Sequence, residues 1–419
     1  MMPALFSYMI SLFEMKILNS MSVAEIFSFV LIILSVFTVK NIKYDRNAFI
    51  ITLFTVWVLI CLIFYTGRNY FSTSSYLNNT FRLLLYFVGF LTIPFYLIKY
   101  NRLKTFFLHL TYVTIAISII GIIEFFLIQL NVKPDFRVSQ LTSSEFIPKF
   151  TTRISSIFNE PAHLSIFLGT SLILIFKYQS LTSGIKLANL TRVLVFINLL
   201  ISMSLVGFTI LLFLILMFTF KKQVLNPAIN YVKRIFIAII ALLFVFVIVV
   251  QVDFLNESIV ERATTASKLE DTSGNQRLIA PFEYAAFVVT KHPATGIGMG
   301  QLANYYQKIR VPMKYNYLKD KKRRGGVNNI YSTITIQTGL IGLFLFIFFT
   351  NSLFKSDKYL LLMFVLLCFS WGFFNTPLFW FYLYIGKSLI LIQNNSIIRE
   401  IGIINLTNIK KFGKMAKRV

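Results

Sequence analysis

The sequence lacks the short motifs that carry nucleotide chemistry, and it has few side chains that bind metals. It contains no GxxxxGK[ST] phosphate loop, no HExxH pair and no DxD pair, and it holds only 3 histidines. These absences argue against ATP hydrolysis and against a histidine-based metal site, so no cofactor is expected. A metal bridged by scattered carboxylates stays open as an alternative, although the loops supply few acids.

Cysteine and acidic residues are also scarce. Both cysteines, Cys61 and Cys368, lie inside apolar runs, where neither is placed for a disulfide or a thiolate metal site. The chain has 16 acidic residues against 41 Lys and Arg, a net charge of +25. Because the basic residues fall mainly between apolar runs and not in tracts, they argue against nucleic acid. Membrane topology and anionic lipid headgroups explain them, and an anionic substrate is the sharper possibility.

Apolar residues are abundant, at 57% of the chain with 46 Phe and a mean hydropathy of +0.73. Soluble domains have about 45–50%, so this chain requires a bilayer. Two short helices are expected within 187–220, and nine single runs are long enough to span: 21–39, 47–66, 80–98, 105–130, 160–176, 234–252, 329–350, 357–373 and 376–393. Residues 3–18 are apolar but contain Glu14 and Lys16, so the sequence leaves open whether they form a twelfth helix. The sequence therefore predicts an all-α integral membrane protein with 11 or 12 transmembrane helices.

The distribution of Lys and Arg divides the chain into four parts. Short basic loops and the basic tail, residues 394–419, are predicted to face the cytoplasm, because positive charge is retained there. Residues 1–252 then form the N-terminal helices with an external loop at 131–159, and residues 329–393 form the C-terminal helices. Between them, residues 253–328 form one large external loop. This organisation predicts a multi-pass membrane protein.

The large external loop is cationic, with twelve Lys or Arg against six acids from Glu257 to Val327. Residues 259–269 and 277–289 are amphipathic and predict helices at the membrane face. Arg277 is the foremost candidate for binding an anion, since its guanidinium matches diphosphate oxygens and stays charged. His292 then opens a run with Gly296, Gly298 and Gly300, whose backbone is free for close approach or simply for a turn.

Residues at three other places in the chain have both a structural and a functional interpretation. Glu160 and His163 flank Pro161 at a predicted helix start, where an acid and a proline are ordinary capping residues. Asn328 and Asn329 precede Tyr331 at another helix mouth, where they serve either as a cap or as sugar-binding amides. Glu124 is an acid inside a predicted span, and such residues are functional candidates by default.

Three segments together resemble the bacterial O-antigen polymerase family (Wzy-type), within the O-antigen polymerase and ligase superfamily. The first is Arg153 to His163 with its Phe-Asn-Glu-Pro-Ala core, and the second is Arg277 through His292-Pro-Ala-Thr-Gly-Ile-Gly. The third is Asn328-Asn-Ile-Tyr331 followed by Gly339. Their order and their positions around the large outer loop match that family as well.

The resemblance implies a glycosyltransferase without nucleotide or metal in a bacterial cytoplasmic (inner) membrane, where residues 253–328 form a periplasmic loop and the active site faces the periplasm. A growing glycan leaves its undecaprenyl-diphosphate carrier and joins a hydroxyl of another lipid-linked repeat unit. Pre-organised arginines stabilise the departing diphosphate. Arg277 matches the family's main-loop arginine, and Arg153 is the second candidate. Glu160 and His163 are candidate bases, and the implied substrate-binding residues are His292, Gly296, Gly298, Asn328, Asn329 and Tyr331. Implied partners are membrane lipids, a flippase and a chain-length regulator, with no nucleic acid.

Three alternatives remain at this point. Ligases similar to this family carry His where Asn328 stands and a Ser-Arg pair where Ser204-Leu205 stands, so both departures disfavour a ligase. A lipid-linked oligosaccharide flippase is also basic with about twelve helices, but flippases usually have short connections and an internal pseudo-repeat. A peptidoglycan-type glycosyltransferase is the third alternative, because it would also act on a lipid-linked saccharide.

Overall fold

The computed structural model describes residues 16–18, 21–39, 45–132, 136, 154–158, 160–182, 187–202, 204–219, 279–309, 327, 329–370 and 376–394. Within these ranges the chain is almost entirely helical, and the only sheet there is a short antiparallel pair that joins Lys16 to Ser22 and Leu18 to Met21. The all-α membrane architecture expected from the sequence is confirmed.

The elements, in chain order, are β1 (Lys16–Leu18), β2 (Met21–Ser22), α1 (Val23–Thr38), α2 (Arg46–Tyr65), α3 (Thr73–Lys99), α4 (Arg102–Gln129), α5 (Pro161–Thr182), α6 (Ala188–Ile201), α7 (Leu205–Thr219), α8 (Ala280–Lys291), α9 (Leu302–Lys308), α10 (Ile330–Phe354), α11 (Lys358–Ser370) and α12 (residues 377–394).

Five of the described helices, α2, α3, α4, α5 and α10, are long and apolar enough to cross a membrane. The apolar stretch 187–220 forms two short helices, α6 and α7, as its length predicts. Residues 277–289, expected to be amphipathic, contain most of α8. The expected span at 234–252 and the expected helix at 259–269 lie outside the described residues, as does most of the segment 3–18.

Polar side chains fix where several spanning helices begin. Asp45 accepts a hydrogen bond from the backbone N–H of Ala48 at 2.7 Å, and so caps α2. Asn329 accepts from the N–H of Ser332 at 3.1 Å and caps α10 in the same way. Such caps satisfy N–H groups that the first helical turn leaves without a partner.

The helices pack in pairs around one large aromatic core. α2 lies against α10, α1 against α3, α4 against α6, and α5 against both α7 and α11. A second, smaller core joins α8, α9 and the loop before α3. Large apolar side chains on the outer helix faces stay exposed, for example Phe37 at 82% and Ile63 at 76%. In a bilayer these faces contact lipid.

Contacts at the helix ends join residues that the charge pattern assigns to the same side. Lys177 forms an ion pair with Asp357, and Lys99 donates to the carbonyl of Thr38 at 3.3 Å. All four residues belong to ends assigned to the cytoplasm. At the opposite end, the loop after α2 meets the segment 295–308, which belongs to the predicted external loop.

A buried lysine inside α12 gives the first prediction. Lys387 is 1% exposed, lies 3.3 Å from the carboxylate of Asp45 and sits 4.2 Å from the ring centroid of Phe90. Asp45→Asn keeps a capping side chain but leaves the lysine charge buried without its counter-ion, which costs about 3–5 kcal/mol. Lys387→Met removes the buried charge, and the part-exposed carboxylate of Asp45 stays hydrated. We therefore expect a much lower thermal unfolding midpoint for Asp45→Asn than for Lys387→Met in detergent. Equal losses would contradict this explanation.

Candidate functional site

Helix α10 is broken near its outer end, at Gly339. This residue has φ +71°, outside the helical region, so the backbone groups around it lose their partners within the helix. Membrane helices tolerate such breaks only where other protein groups satisfy the freed carbonyls and N–H groups. The break therefore requires a partner segment at the same depth.

The run that begins at His292 supplies that partner. The N–H of Ile297 donates to the carbonyl of Ile336 at 2.8 Å, and the N–H of Gly298 donates to that of Gln337 at 3.0 Å. In return the N–H of Leu340 donates to the carbonyl of Pro293 at 2.8 Å. These backbone bonds dock residues 293–298 into the break of α10.

Two glycines make this contact possible. A Cβ added to Gly296 would lie 2.3 Å from the carbonyl oxygen of Ile336, and one added to Gly339 would lie 2.1 Å from that of Ala294. Both residues also have positive φ. Gly296 and Gly298, predicted to bind substrate, thus lie in a backbone-to-backbone contact that sets the position of the loop.

Helix α2 and the start of α3 hold the docked loop from the other side. The Trp57 indole donates to the carbonyl of Thr338 at 2.9 Å, and the Tyr65 hydroxyl donates to that of Thr295. Gln301, fully buried, pairs its amide with both backbone groups of Ser72, at 2.8 and 2.9 Å. The loop is consequently tied to α2, α3 and α10 together.

The segment before α5 is held by Glu124, which is fully buried in α4. Its Oε2 accepts from the backbone N–H of Ser155 at 2.9 Å and from that of Ser156 at 2.5 Å. Ser156 has φ +52°, and the side chain of Phe158 is completely buried beside Phe167. Glu124 therefore positions the turn that leads to Glu160.

Glu160 and His163 stand at the mouth of α5. The carbonyl of Glu160 accepts from the N–H of His163 at 3.0 Å, which is the first turn of the helix. The side chain of Glu160 is exposed and that of His163 is half-buried. Both residues are thus placed at the outer end of the helix, on the side predicted to be periplasmic.

The outer end of α11 contacts two of the three motif segments, and the third begins at the same level of the bundle. Phe369 packs against Phe282 at the start of α8, with ring centroids 6.3 Å apart, and against Tyr331 at the start of α10, at 5.3 Å. Helix α5 runs antiparallel beside α11, and the pair Lys177–Asp357 joins their far ends. At 1.5 Å per residue, His163 lies about 21 Å and Phe369 about 18 Å from that pair. The beginnings of α5, α8 and α10 thus reach the same level.

The remaining predicted residues have these positions. His292 ends α8 and is half-buried, and its pKa is lowered from 6.5 by burial and by the charges of Arg68 and Lys291. The imidazole is therefore mainly neutral at pH 7. Asn329 is fully buried as the cap of α10, and Tyr331 is half-buried. Arg277, Arg153 and Asn328 lie outside the described residues. Arg277 precedes α8 by three positions along the chain.

Several positioning residues gave no signal in the sequence. Trp57 and Tyr65 look like ordinary apolar-run residues, and their bonds, to Thr338 beside the break in α10 and to Thr295 of the docked loop, span more than 200 positions. Gln301 follows Gly300 and has no local feature that predicts burial. No group of three His, Cys, Asp or Glu capable of holding a metal occurs among the described residues.

Comparison with known families adds one finding. Residues 190–347 match the family described as O-antigen ligase. This segment includes Arg277, the docked loop and the start of α10, so the resemblance to the O-antigen polymerase and ligase superfamily is confirmed there. No curated protein matches the chain.

Proposed function

We propose that this protein polymerises undecaprenyl-diphosphate-linked oligosaccharide repeat units for an O-antigen or a related surface polysaccharide. The observation that supports this most is that the beginnings of α8 and α10 pack on Phe369 while the beginning of α5 lies at the same level of the helix bundle. Each of these beginnings belongs to, or directly follows, one of the three segments that resemble the polymerase family. The family match over residues 190–347 supports the same superfamily.

The proposed reaction exchanges one bond at an anomeric carbon for another. The bond from the growing glycan to its diphosphate carrier breaks, and a bond to the acceptor hydroxyl oxygen forms. The hydroxyl proton passes to a base, and the diphosphate leaves with both bonding electrons. Arg277 and Arg153 are proposed to stabilise that negative charge, because guanidinium groups bind phosphate oxygens in a fixed fork geometry.

The base is proposed to be Glu160 or His163. Glu160 directly precedes α5 and His163 lies in its first turn, and the side chain of Glu160 is exposed on the proposed periplasmic side. His292, Asn328, Asn329 and Tyr331 are proposed to contact substrate around them. Gly296 and Gly298 are proposed to serve binding through the backbone shape of the docked loop.

A ligase is the second candidate, because the matching family is described as O-antigen ligase. Such an enzyme transfers a finished glycan to another acceptor. Asn328 and Ser204-Leu205 disfavour it, since ligases resembling this family have His at the first position and Ser-Arg at the second. Lipid-linked oligosaccharide flippases remain the alternative transporter class.

The banding pattern of surface polysaccharide in a deletion strain separates these functions. A polymerase deletion is expected to lose the long ladder while single repeat units stay attached to the lipid core. A ligase or flippase deletion would instead remove every repeat unit from the surface, including single ones. Complementation with the wild-type gene at matched membrane levels controls for effects on neighbouring genes.

The active site is proposed to face the periplasm of a bacterial inner membrane, which labelling can test. Asn69 and Ser180 are exposed at opposite ends of the bundle, and both native cysteines are buried. A membrane-impermeant thiol reagent is expected to label Asn69→Cys in intact spheroplasts, and Ser180→Cys only after lysis. The reverse pattern would place the proposed site in the cytoplasm.

Two protein partners follow from the proposed reaction. Repeat units are made on cytoplasmic carriers, so a flippase must deliver them to an external site. A chain-length regulator is the second proposed partner. The undecaprenyl carriers approach through the bilayer itself, where the exposed apolar faces of the helices contact lipid.

A further inference from the structure

Three buried tyrosines on the proposed periplasmic side have hydroxyl groups without a hydrogen-bond partner in the described part of the chain. Tyr70, Tyr284 and Tyr305 are 5%, 1% and 0% exposed. Among the described residues, none offers a hydrogen-bond partner to any of these three hydroxyls. An unmade hydrogen bond on a buried hydroxyl costs free energy, so such groups in a native protein require an explanation.

The three tyrosines belong to one cluster in the smaller core. The rings of Tyr70 and Tyr305 meet edge to face with centroids 4.7 Å apart. A negative charge on Tyr305 would raise the pKa of Tyr70 and of Tyr284, so the three hydroxyls lie close to one another. The loop before α3, helix α8 and helix α9 each contribute one of these side chains.

His292 forms the side of the cluster that is open to solvent. Its half-buried ring lies 6.4 Å from that of Tyr70 and 6.2 Å from that of Tyr305. The flanking residues Arg68 and Lys291 are exposed. His292 is the least buried of the four residues, so a ligand would enter the cluster beside it.

The chemistry of the cluster favours a neutral, hydroxyl-rich ligand. Each tyrosine hydroxyl both donates and accepts, and a neutral imidazole offers one donor and one acceptor. Burial raises the pKa of Tyr70 and Tyr305, which keeps these groups protonated and uncharged. Sugar hydroxyls have the same dual character. A diphosphate would require cationic groups at the centre, where neutral ones stand.

We propose that Tyr70, Tyr284, Tyr305 and His292 form a saccharide-binding subsite that holds a sugar of the lipid-linked glycan beside the reaction centre. This inference rests on the proposed function and adds a specific subsite to it. The cluster is continuous with the docked loop, because the carbonyl of His292 accepts from the N–H of Gly296 at 3.0 Å. Sugar binding there would orient the glycan without touching the reacting bond.

Tyrosine-to-phenylalanine variants test the subsite, because they remove the hydroxyl and keep the ring. For Tyr305→Phe and Tyr70→Phe we expect the KM for lipid-linked repeat unit to rise about fivefold each, with kcat nearly unchanged. Their thermal unfolding midpoints should equal or exceed that of wild type, since no protein hydrogen bond is lost. Tyr384→Phe is the matched control. Its hydroxyl donates to the carbonyl of Tyr86 at 2.9 Å, so it should unfold at a lower temperature with KM unchanged.

Two results would overturn the subsite. An unchanged KM in the Tyr70→Phe, Tyr305→Phe double variant would mean that the two hydroxyls do not contact the sugar. A lower unfolding midpoint in that variant, with a parallel loss of kcat, would mean that they serve folding alone.

Direct binding separates a failure of the subsite from a failure of the proposed function. The probe is the repeat-unit oligosaccharide released from its carrier by mild acid, added to the purified full-length protein in nanodiscs and followed by saturation-transfer NMR. Binding to wild type that is lost in the double variant supports the subsite, even if wild type forms no polymer. Equal binding to both proteins overturns it, whatever the polymerase assay shows.

Discussion

Replacement of Arg277 by lysine is expected to reduce glycan polymerisation by about 100-fold or more, although the positive charge is retained. Lysine presents a single ammonium group, whereas the guanidinium presents two parallel donors that match a diphosphate. Preorganised donors to a developing negative charge are worth about 100- to 1000-fold in rate when one is removed. The measurement is the rate of chain extension by purified protein with lipid-linked repeat units.

Another arginine of the same loop serves as the control. Arg310→Lys makes the same chemical change outside the three segments that carry the resemblance, and we expect it to keep nearly full activity. Arg277→Ala should be no better than Arg277→Lys, because the fork geometry is missing from both. Near-normal extension by Arg277→Lys at wild-type protein level would remove this residue from the proposed mechanism.

Gly296→Ala is expected to disrupt the docked loop strongly. The new Cβ would meet the carbonyl oxygen of Ile336 at 2.3 Å, and φ is +68°. Left-handed strain costs about 1–2 kcal/mol, and overpacking against rigid backbone adds about 1–3 kcal/mol. The loop should leave the break in α10, with a lower thermal unfolding midpoint and little remaining activity.

Gly67→Ala separates strain from crowding. Gly67 has φ +89°, but a Cβ there meets no atom within 4 Å. We therefore expect a small loss of stability and nearly full activity from this variant. If Gly67→Ala and Gly296→Ala lowered the unfolding midpoint equally, backbone strain alone would explain both, and the docked loop would not depend on close approach.

The helical fold was predictable because membrane burial leaves a strong local pattern. Runs of apolar residues predict spans, and the described helices α2, α4 and α10 begin within three residues of the expected positions. The break at Gly339 was not predicted, although the residue itself was noted. A glycine in an apolar run also occurs in ordinary close packing, and only residues 293–298 show that this one interrupts the helix.

The candidate site was predictable in its parts but not in its arrangement. The resemblance to the polymerase family identified the segments around Glu160, His292 and Tyr331, because each is a short motif that can be read directly in the sequence. The arrangement around Glu124 could not be predicted from the sequence. Its carboxylate accepts from the N–H groups of Ser155 and Ser156 only because the turn that contains them folds against α4. Tyr70 and Tyr305 likewise come together only through the tertiary packing of α9 on the loop before α3.

The most direct test of the proposed function is chain extension by the purified protein in proteoliposomes that contain only undecaprenyl-diphosphate-linked repeat units. Products separated by size after mild acid release should form a ladder of increasing repeat number without added nucleotide, and free carrier diphosphate should accumulate in proportion. A product that remains one repeat unit long, from well-folded protein in the correct orientation, would contradict the account.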